Sequence, residues 1–330
     1  MKYTKVYYEP SSLNYPLGQQ LKQRFSTLEW IPILSHNSIQ ELQKKENRDF
    51  ITMKSYLIIG IRKTHRYTNN QKLSDFLVPF TSSGCSAMCL YCYLVCSYNK
   101  CSYLRLYVNT DEIMDRLIQK SHQTEQPCTF EIGSNSDLIL ENTLTHNLEK
   151  IIEKFAQEGK GFLTFPTKFH MIEPLLNLNH KGKTIIRMSL NPNYIIQKVE
   201  IGTSSLEDRI EALNQLRHHG YPIGIVLAPV IFVENWQHLY LDLFDQLKEK
   251  LTEDVQKQMF IEIIFMTYSY IHRAINEQAF PKALKLYNQQ LMTGGNRKYY
   301  YRKEIRQEAE QFLRIELEKR FPSTTILYVV

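Results

Sequence analysis

A chain of 330 residues, 43% apolar and 22% charged, has the usage of an ordinary globular protein, which excludes a disordered, collagenous or coiled-coil polypeptide. Its net charge of +6 is compatible with a polyanionic partner without requiring one. No stretch approaches the roughly 18 uncharged apolar residues that span a bilayer, and MKYTKVYYEP at the N-terminus lacks the apolar core of a signal peptide, so a cytoplasmic protein with no membrane partner is expected.

The first 76 residues read as a mixed α/β extension. GQQLKQRFSTLEW (18–30) has helical spacing and SYLIIGI (55–61) reads as a buried strand. From residue 77 to 265, strand-like and helix-like runs alternate. FLVPFTS (76–82), CTFEIGS (128–134), GFLTFPT (161–167), TIIRMSL (184–190), PIGIVLAPV (222–230) and FIEIIF (260–265) are apolar strands. Between them, 110–122, 144–159, 204–220 and 235–251 have helical periodicity, with an acidic start at 110–122 and a serine cap and closing Gly220 at 204–220. Six βα units imply a parallel sheet, predicted here as an incomplete (β/α)6 TIM-like barrel. Residues 266–330 break the rhythm with a hairpin around 294–303, a charged helix over 303–320 and a final strand over 324–330.

All six cysteines fall between Cys85 and Cys128, and three of them form Gly84-Cys85-x3-Cys89-x-Tyr91-Cys92 just after a predicted strand. A disulfide framework would be spread over a small secreted fold. Three thiolates on one loop can each bind one iron of a [4Fe–4S] cube, leaving the fourth iron for the amino and carboxylate groups of S-adenosylmethionine. Such a cluster supplies the electron that makes a 5′-deoxyadenosyl radical, while the protein positions and shields it. Tyr91, just before the third cysteine, is well placed to face the adenine. The competing reading is zinc, which favours paired C-x2–4-C elements. The second pair is missing here unless Cys96 and Cys101 are recruited.

Around this loop stand Tyr15-Pro-Leu-Gly18, Ser35-His-Asn37, Gly60-Ile-Arg-Lys63, Cys92-Tyr93-Leu94, Thr167-Lys168-Phe169-His170, Gly202-Thr203-Ser204, Gly220-Tyr221-Pro222 and Ala228-Pro229. In this order the chain resembles the spore photoproduct lyase family of radical S-adenosylmethionine enzymes, which reverse a methylene-bridged thymine dimer in DNA. The resemblance implies cluster ligation by Cys85, Cys89 and Cys92, and adenosine contact by Tyr91. It implies a cofactor pocket from Lys168, Ser189, Ser136 and Ala228, with Tyr93 in a hydrogen-atom relay. It also implies a reducing electron donor such as flavodoxin or ferredoxin. A cationic Lys168 at a strand end suits a carboxylate.

Two departures qualify the resemblance. The family carries a hydrogen-donating cysteine where this chain has Ser134, and an alcohol O–H is too strong to give a hydrogen atom to a carbon radical. Cys96, just after Tyr93, is the expected substitute. Cys128 lies about 20 Å from residue 134 along an extended strand. The family's basic C-terminal hairpin enters DNA and extrudes the lesion. Here Arg297, Lys298, Tyr299, Arg302 and Lys303 are the expected DNA-binding residues, on the ground that cations with interleaved aromatics hold phosphates and stack bases. An ordinary amphipathic hairpin edge has the same pattern. Ser134 leaves open an alternative, a paralogue running the same radical chemistry on another substrate. The intact cysteine loop argues against a non-catalytic nucleic-acid-binding relative.

Overall fold

The computed structural model describes residues 2–78, 80–97 and 103–330, the side chains of Cys96 and Ser97 excepted. The largest sheet has eight strands, and its seven parallel strands run in the spatial order Thr325–Val329, Phe260–Phe265, Ile223–Val230, Thr184–Leu190, Phe162–Thr167, Thr129–Glu131 and Phe76–Leu77. An antiparallel edge strand, Thr68–Asn69, completes it. Each of the six expected barrel strands is represented, but the run expected over 76–82 contributes only Phe76–Leu77 and that over 128–134 only Thr129–Glu131. Their continuous apolar runs have the character of strands covered on both faces. Ile186, Met188, Leu190, Ile225 and Leu227 have no exposed surface.

The helices follow the local chemistry. Helix Thr110–His122 has Asp111 and Glu112 in its first turn and Lys120 and His122 in its last, matching the helix dipole. It buries Ile113, Met114 and Leu117. In helix Leu206–His218 the Ser205 hydroxyl accepts from the Asp208 N–H, 3.1 Å away. Gly220, at φ +83°, turns the chain into the next strand.

Several elements depart from expectation. The helix expected over 18–30 ends at Arg24, and Glu29–Pro32 is a strand. The 144–159 segment divides at His146, which adopts a left-handed conformation between helices Leu138–Thr145 and Asn147–Glu158. The sheets also cross the expected boundaries at 77 and 265. Strands Leu104–Tyr107 and Ser82–Ser83 extend the five-stranded N-terminal sheet beside Tyr56–Gly60. The last strand pairs with Phe260–Phe265 in the barrel sheet. Burial drives the first of these changes: Leu104 and Leu106 are buried against Leu57 and Ile59, so 104–107 belongs to that core and not to the barrel.

A third, three-stranded antiparallel sheet places Lys298–Tyr301 between Thr267–Ser269 and Met292–Gly295. The hairpin expected around 294–303 is therefore present, and helix Lys303–Arg320 follows it. Among the described residues no helix is long and apolar enough to cross a membrane.

Candidate active site

A cavity of about 490 Å³ opens at the C-terminal ends of the barrel strands, where parallel α/β folds carry their chemistry. Its volume is that of a small-molecule site. Cys85, Cys89, Cys92, Tyr91, Tyr93, Ser134, Ser136, Lys168, Ser189 and Ala228 all line it. The fold thus gathers residues that are up to 143 positions apart in sequence.

The cysteine loop is held by its backbone. Met88 and Leu90 donate N–H bonds to the carbonyls of Ile201 and Val199, 2.8 and 2.9 Å away. Lys54 Nζ donates to the Cys85 carbonyl at 2.5 Å. Asn276 Nδ2 donates to the Leu90 carbonyl at 2.7 Å, and the buried His272 ring meets the Cys92 carbonyl through Nδ1 at 2.9 Å. The N-terminal and C-terminal extensions therefore both buttress the loop. Nothing in the sequence around Lys54, His272 or Asn276 marks them for this, because each acts across 31 positions or more.

The thiols of Cys85, Cys89 and Cys92 form no disulfide. Burial pushes the Cys85 thiol up to about 12 and the Cys89 thiol well above its ordinary range. Such thiols keep their protons unless a metal cation replaces them. Among the described residues no three His, Cys, Asp or Glu side chains group around one point to hold an ion. Three thiols on the wall of a cavity this size, Cys89 buried and Cys85 and Cys92 half-buried, fit a [4Fe–4S] cluster with a nucleoside-sized ligand beside it.

Beside the loop stands a buried carboxylate. Glu200 Oε1 accepts from the Tyr91 hydroxyl (2.6 Å), Asn191 Nδ2 (2.8 Å) and Lys168 Nζ (3.0 Å), and Oε2 accepts from Arg209 Nη2 (2.7 Å). Burial alone would raise the carboxyl; Lys168 and Arg209 overrule it and hold it at about 2. Lys168 Nζ also donates to the Ser189 hydroxyl (2.5 Å) and the Ala228 carbonyl (2.7 Å). Three of the expected pocket residues are thus joined at one ammonium. Of the two cations on Glu200, Lys168 is the one that lines the cavity, so it is the positive charge a ligand carboxylate can reach. Asp137 fixes the preceding turn: it caps helix Leu138–Thr145 and accepts from the Thr167 hydroxyl and the Lys168 N–H. Sequence reasoning missed Glu200, Arg209 and Asp137, since no spacing links them to the cysteine loop.

On the other wall, the hydroxyls of Ser136 and Ser82 are hydrogen-bonded to each other at 2.6 Å. Ser82 and Thr81 also donate to the buried Glu141. The Tyr93 hydroxyl donates to the backbone carbonyl of Ser134, while most of the ring remains exposed. The Cys96 side chain lies outside the described residues. Cys128 packs at the start of its strand, its thiol 3.4 Å from the Gln126 carbonyl, and does not line the cavity. Deeper in the barrel, Arg187 pairs with Glu262 at 2.9 Å and with Glu131, and both Arg187 and Glu131 line the cavity floor.

The five expected DNA-binding residues all sit on the hairpin or at its exit. Arg297, Lys298 and Lys303 are exposed. Arg302 donates to the Gln289 carbonyl at 3.3 Å. The Tyr299 ring is packed between Tyr270 and Tyr287, with centroids 4.4 and 4.2 Å away, and its hydroxyl accepts from Arg273.

This half-barrel with three thiols at its open end defines a radical S-adenosylmethionine enzyme, and similarity to known proteins narrows the class. The family model described as spore photoproduct lyase matches residues 1–330. The spore photoproduct lyase of Bacillus subtilis is 34% identical over 98% of this chain and 97% of its own length. That of Clostridium acetobutylicum is 29% identical over 99% of each chain. A solved spore photoproduct lyase complexed with dinucleoside spore photoproduct superimposes with a TM-score of 0.91 at 30% identity, over 99% of both chains. A double mutant with bound S-adenosylmethionine and the same dinucleoside gives 0.91 at 30% over the whole of both chains. The chain belongs to the spore photoproduct lyase family, lyases that work with a [4Fe–4S] cluster and S-adenosylmethionine.

Proposed function

We propose that this chain reverses the spore photoproduct in DNA, with Cys85, Cys89 and Cys92 holding the cluster and the Lys168 corner holding the methionine end of S-adenosylmethionine. The observation that carries this reading is the shared cavity: the three thiols, Lys168 and the Tyr93–Ser134 contact face one space, and its lining includes Thr267, the strand partner of Tyr300 on the basic hairpin. When bound, the cluster and S-adenosylmethionine supply a 5′-deoxyadenosyl radical at the cavity wall.

The chain's own residues do the positioning. Lys168, held by Glu200 and Ser189, presents its charge to a carboxylate. Tyr91, fixed through its hydroxyl on Glu200, offers a ring face beside the cysteines. Tyr93 carries the only proposed relay hydroxyl, aimed at the backbone of residue 134. Arg297, Lys298, Arg302 and Lys303 contact DNA phosphates, which makes binding salt-dependent. The electron comes from a flavodoxin- or ferredoxin-type donor, and the protein works in the cytoplasm.

Ser134 supports a second reading, the same radical chemistry on a different substrate, because the serine hydroxyl cannot quench a thymine radical. Anaerobic incubation of reconstituted protein, dithionite and S-adenosylmethionine with and without dimer-containing DNA separates the two. Lesion-dependent thymine formation supports repair. Equal 5′-deoxyadenosine with and without the lesion, and no thymine, supports the other substrate.

A further inference from the structure

We propose that Tyr300 is a nucleobase-stacking platform at the mouth of the cavity, for a base of the DNA strand flanking the one that enters. The inference rests on the reading of this chain as an enzyme acting on DNA.

Strand Lys298–Tyr301 alternates its side chains between two faces, as strands do. Tyr299 and Tyr301 point to one face and are occupied there. Tyr299 is packed by Tyr270, Tyr287 and Arg273. Tyr301 is buried against Phe232, at a centroid distance of 4.1 Å, and its hydroxyl accepts from the Phe232 N–H. Tyr300 points to the other face and is 43% exposed. Among the described residues no ring or cation packs on it. A large aromatic left in the open on an otherwise well-packed sheet is an unpartnered surface.

Its location connects it to the site. Tyr300 stands directly opposite Thr267 on one side and Thr293 on the other, and directly opposed residues share a face. Thr267 lines the cavity. The row Thr293, Tyr300, Thr267 therefore runs from the outer edge of the hairpin to the cavity rim, with Tyr300 in the middle.

Its posture suits stacking. A Cβ on Gly295 would meet Tyr300 Oη at 2.9 Å and Cε1 at 3.3 Å. The tip of the ring thus lies close over Gly295, where any side chain would crowd it, while much of the residue stays open to solvent. A tyrosine ring has only two side-chain torsions to fix, so it offers flat contact area at a low cost in conformational freedom. Lys298, on the same face, and Arg297, at the turn, are exposed, so phosphates on either side of a stacked base have cations within reach. Stacking on an aromatic face tolerates any base, as a residue beside the lesion pocket must.

The test uses the full chain and a short single-stranded oligonucleotide carrying 2-aminopurine, titrated at several salt concentrations. Tyr300→Ala is expected to weaken binding about tenfold or more, to remove the quenching of 2-aminopurine, and to leave the slope of log affinity against log salt unchanged. Tyr300→Phe keeps the ring and is expected to bind like the wild type. Lys298→Ala is expected to do the reverse of Tyr300→Ala, flattening the salt slope while quenching persists at saturation. Binding by Tyr300→Ala within about twofold of wild type, with Lys298→Ala still flattening the slope, overturns the platform and leaves the DNA reading standing. Loss in Tyr300→Phe equal to that in Tyr300→Ala also overturns it. Absence of salt-dependent binding by the wild type overturns both.

Discussion

The ammonium of Lys168 lies 3.0 Å from Oε1 of Glu200, a carboxylate whose side chain has no exposed surface and whose other oxygen is held by Arg209. The pair joins the turn after one barrel strand to the segment that anchors the cysteine loop through Val199 and Ile201. Glu200→Gln keeps the shape and removes the charge, leaving Arg209 buried without an anion. Breaking a buried pair in this way costs about 3–5 kcal/mol. Urea unfolding should show a loss of that order. The loss should shrink as pH falls from the ordinary carboxylate range toward about 2, since the wild-type contribution is itself lost as Glu200 protonates.

Glu141 has the opposite sign. Burial pushes it up to about 7, against hydrogen bonds from Ser82 and Thr81. A raised carboxyl binds its proton more tightly in the folded state. Its contribution is therefore complete below the unfolded value of 4.5 and is lost as pH rises through about 7. Stability should fall across that window with a slope from this group of up to about 1.4 kcal/mol per pH unit. Glu141→Gln should flatten the slope, as read from denaturation midpoints between those limits. An unchanged slope would assign the titration elsewhere.

For the cysteine loop, anaerobically reconstituted protein should be brown and carry about four irons per chain. Cys89→Ala should lose most of the thiolate-to-iron absorbance and all S-adenosylmethionine cleavage. Stoichiometric zinc without iron uptake would contradict the assignment.

The Tyr93–Ser134 contact bears on the end of the reaction. Wild-type turnover on the dimer should leave the thymine radical poorly quenched, with off-path products and S-adenosylmethionine consumed beyond repair events. Ser134→Cys changes one atom and should restore clean thymine, as followed by chromatography of the products. If the wild type already repairs cleanly, Cys96→Ala should abolish it.

Much of the fold was legible because burial imposes long apolar strands and capped helices locally. The six barrel strands and helices Thr110–His122 and Lys303–Arg320 are of this kind. The 18–30 segment misled because its apolar residues fit a helical spacing, while the pairing of Glu29–Pro32 with Lys5–Tyr8 is a long-range contact that no window contains. The same division holds at the site. Cys85, Cys89 and Cys92 share one loop and can be read from spacing. Glu200 meets Tyr91 across 109 positions and Lys168 across 32, and nothing short of the fold joins them. The hairpin was visible, but which tyrosine it leaves exposed depends on Tyr270 and Tyr287, which cover Tyr299, and on Phe232, which covers Tyr301.

The most direct test of the account is one anaerobic reaction of reconstituted wild-type protein and Ser134→Cys with dithionite, S-adenosylmethionine and the dinucleoside spore photoproduct, following thymine and 5′-deoxyadenosine together. The account predicts lesion-dependent thymine release in both proteins, cleaner in Ser134→Cys. S-adenosylmethionine cleavage at the same rate with and without the lesion, with no thymine from either protein, would contradict it.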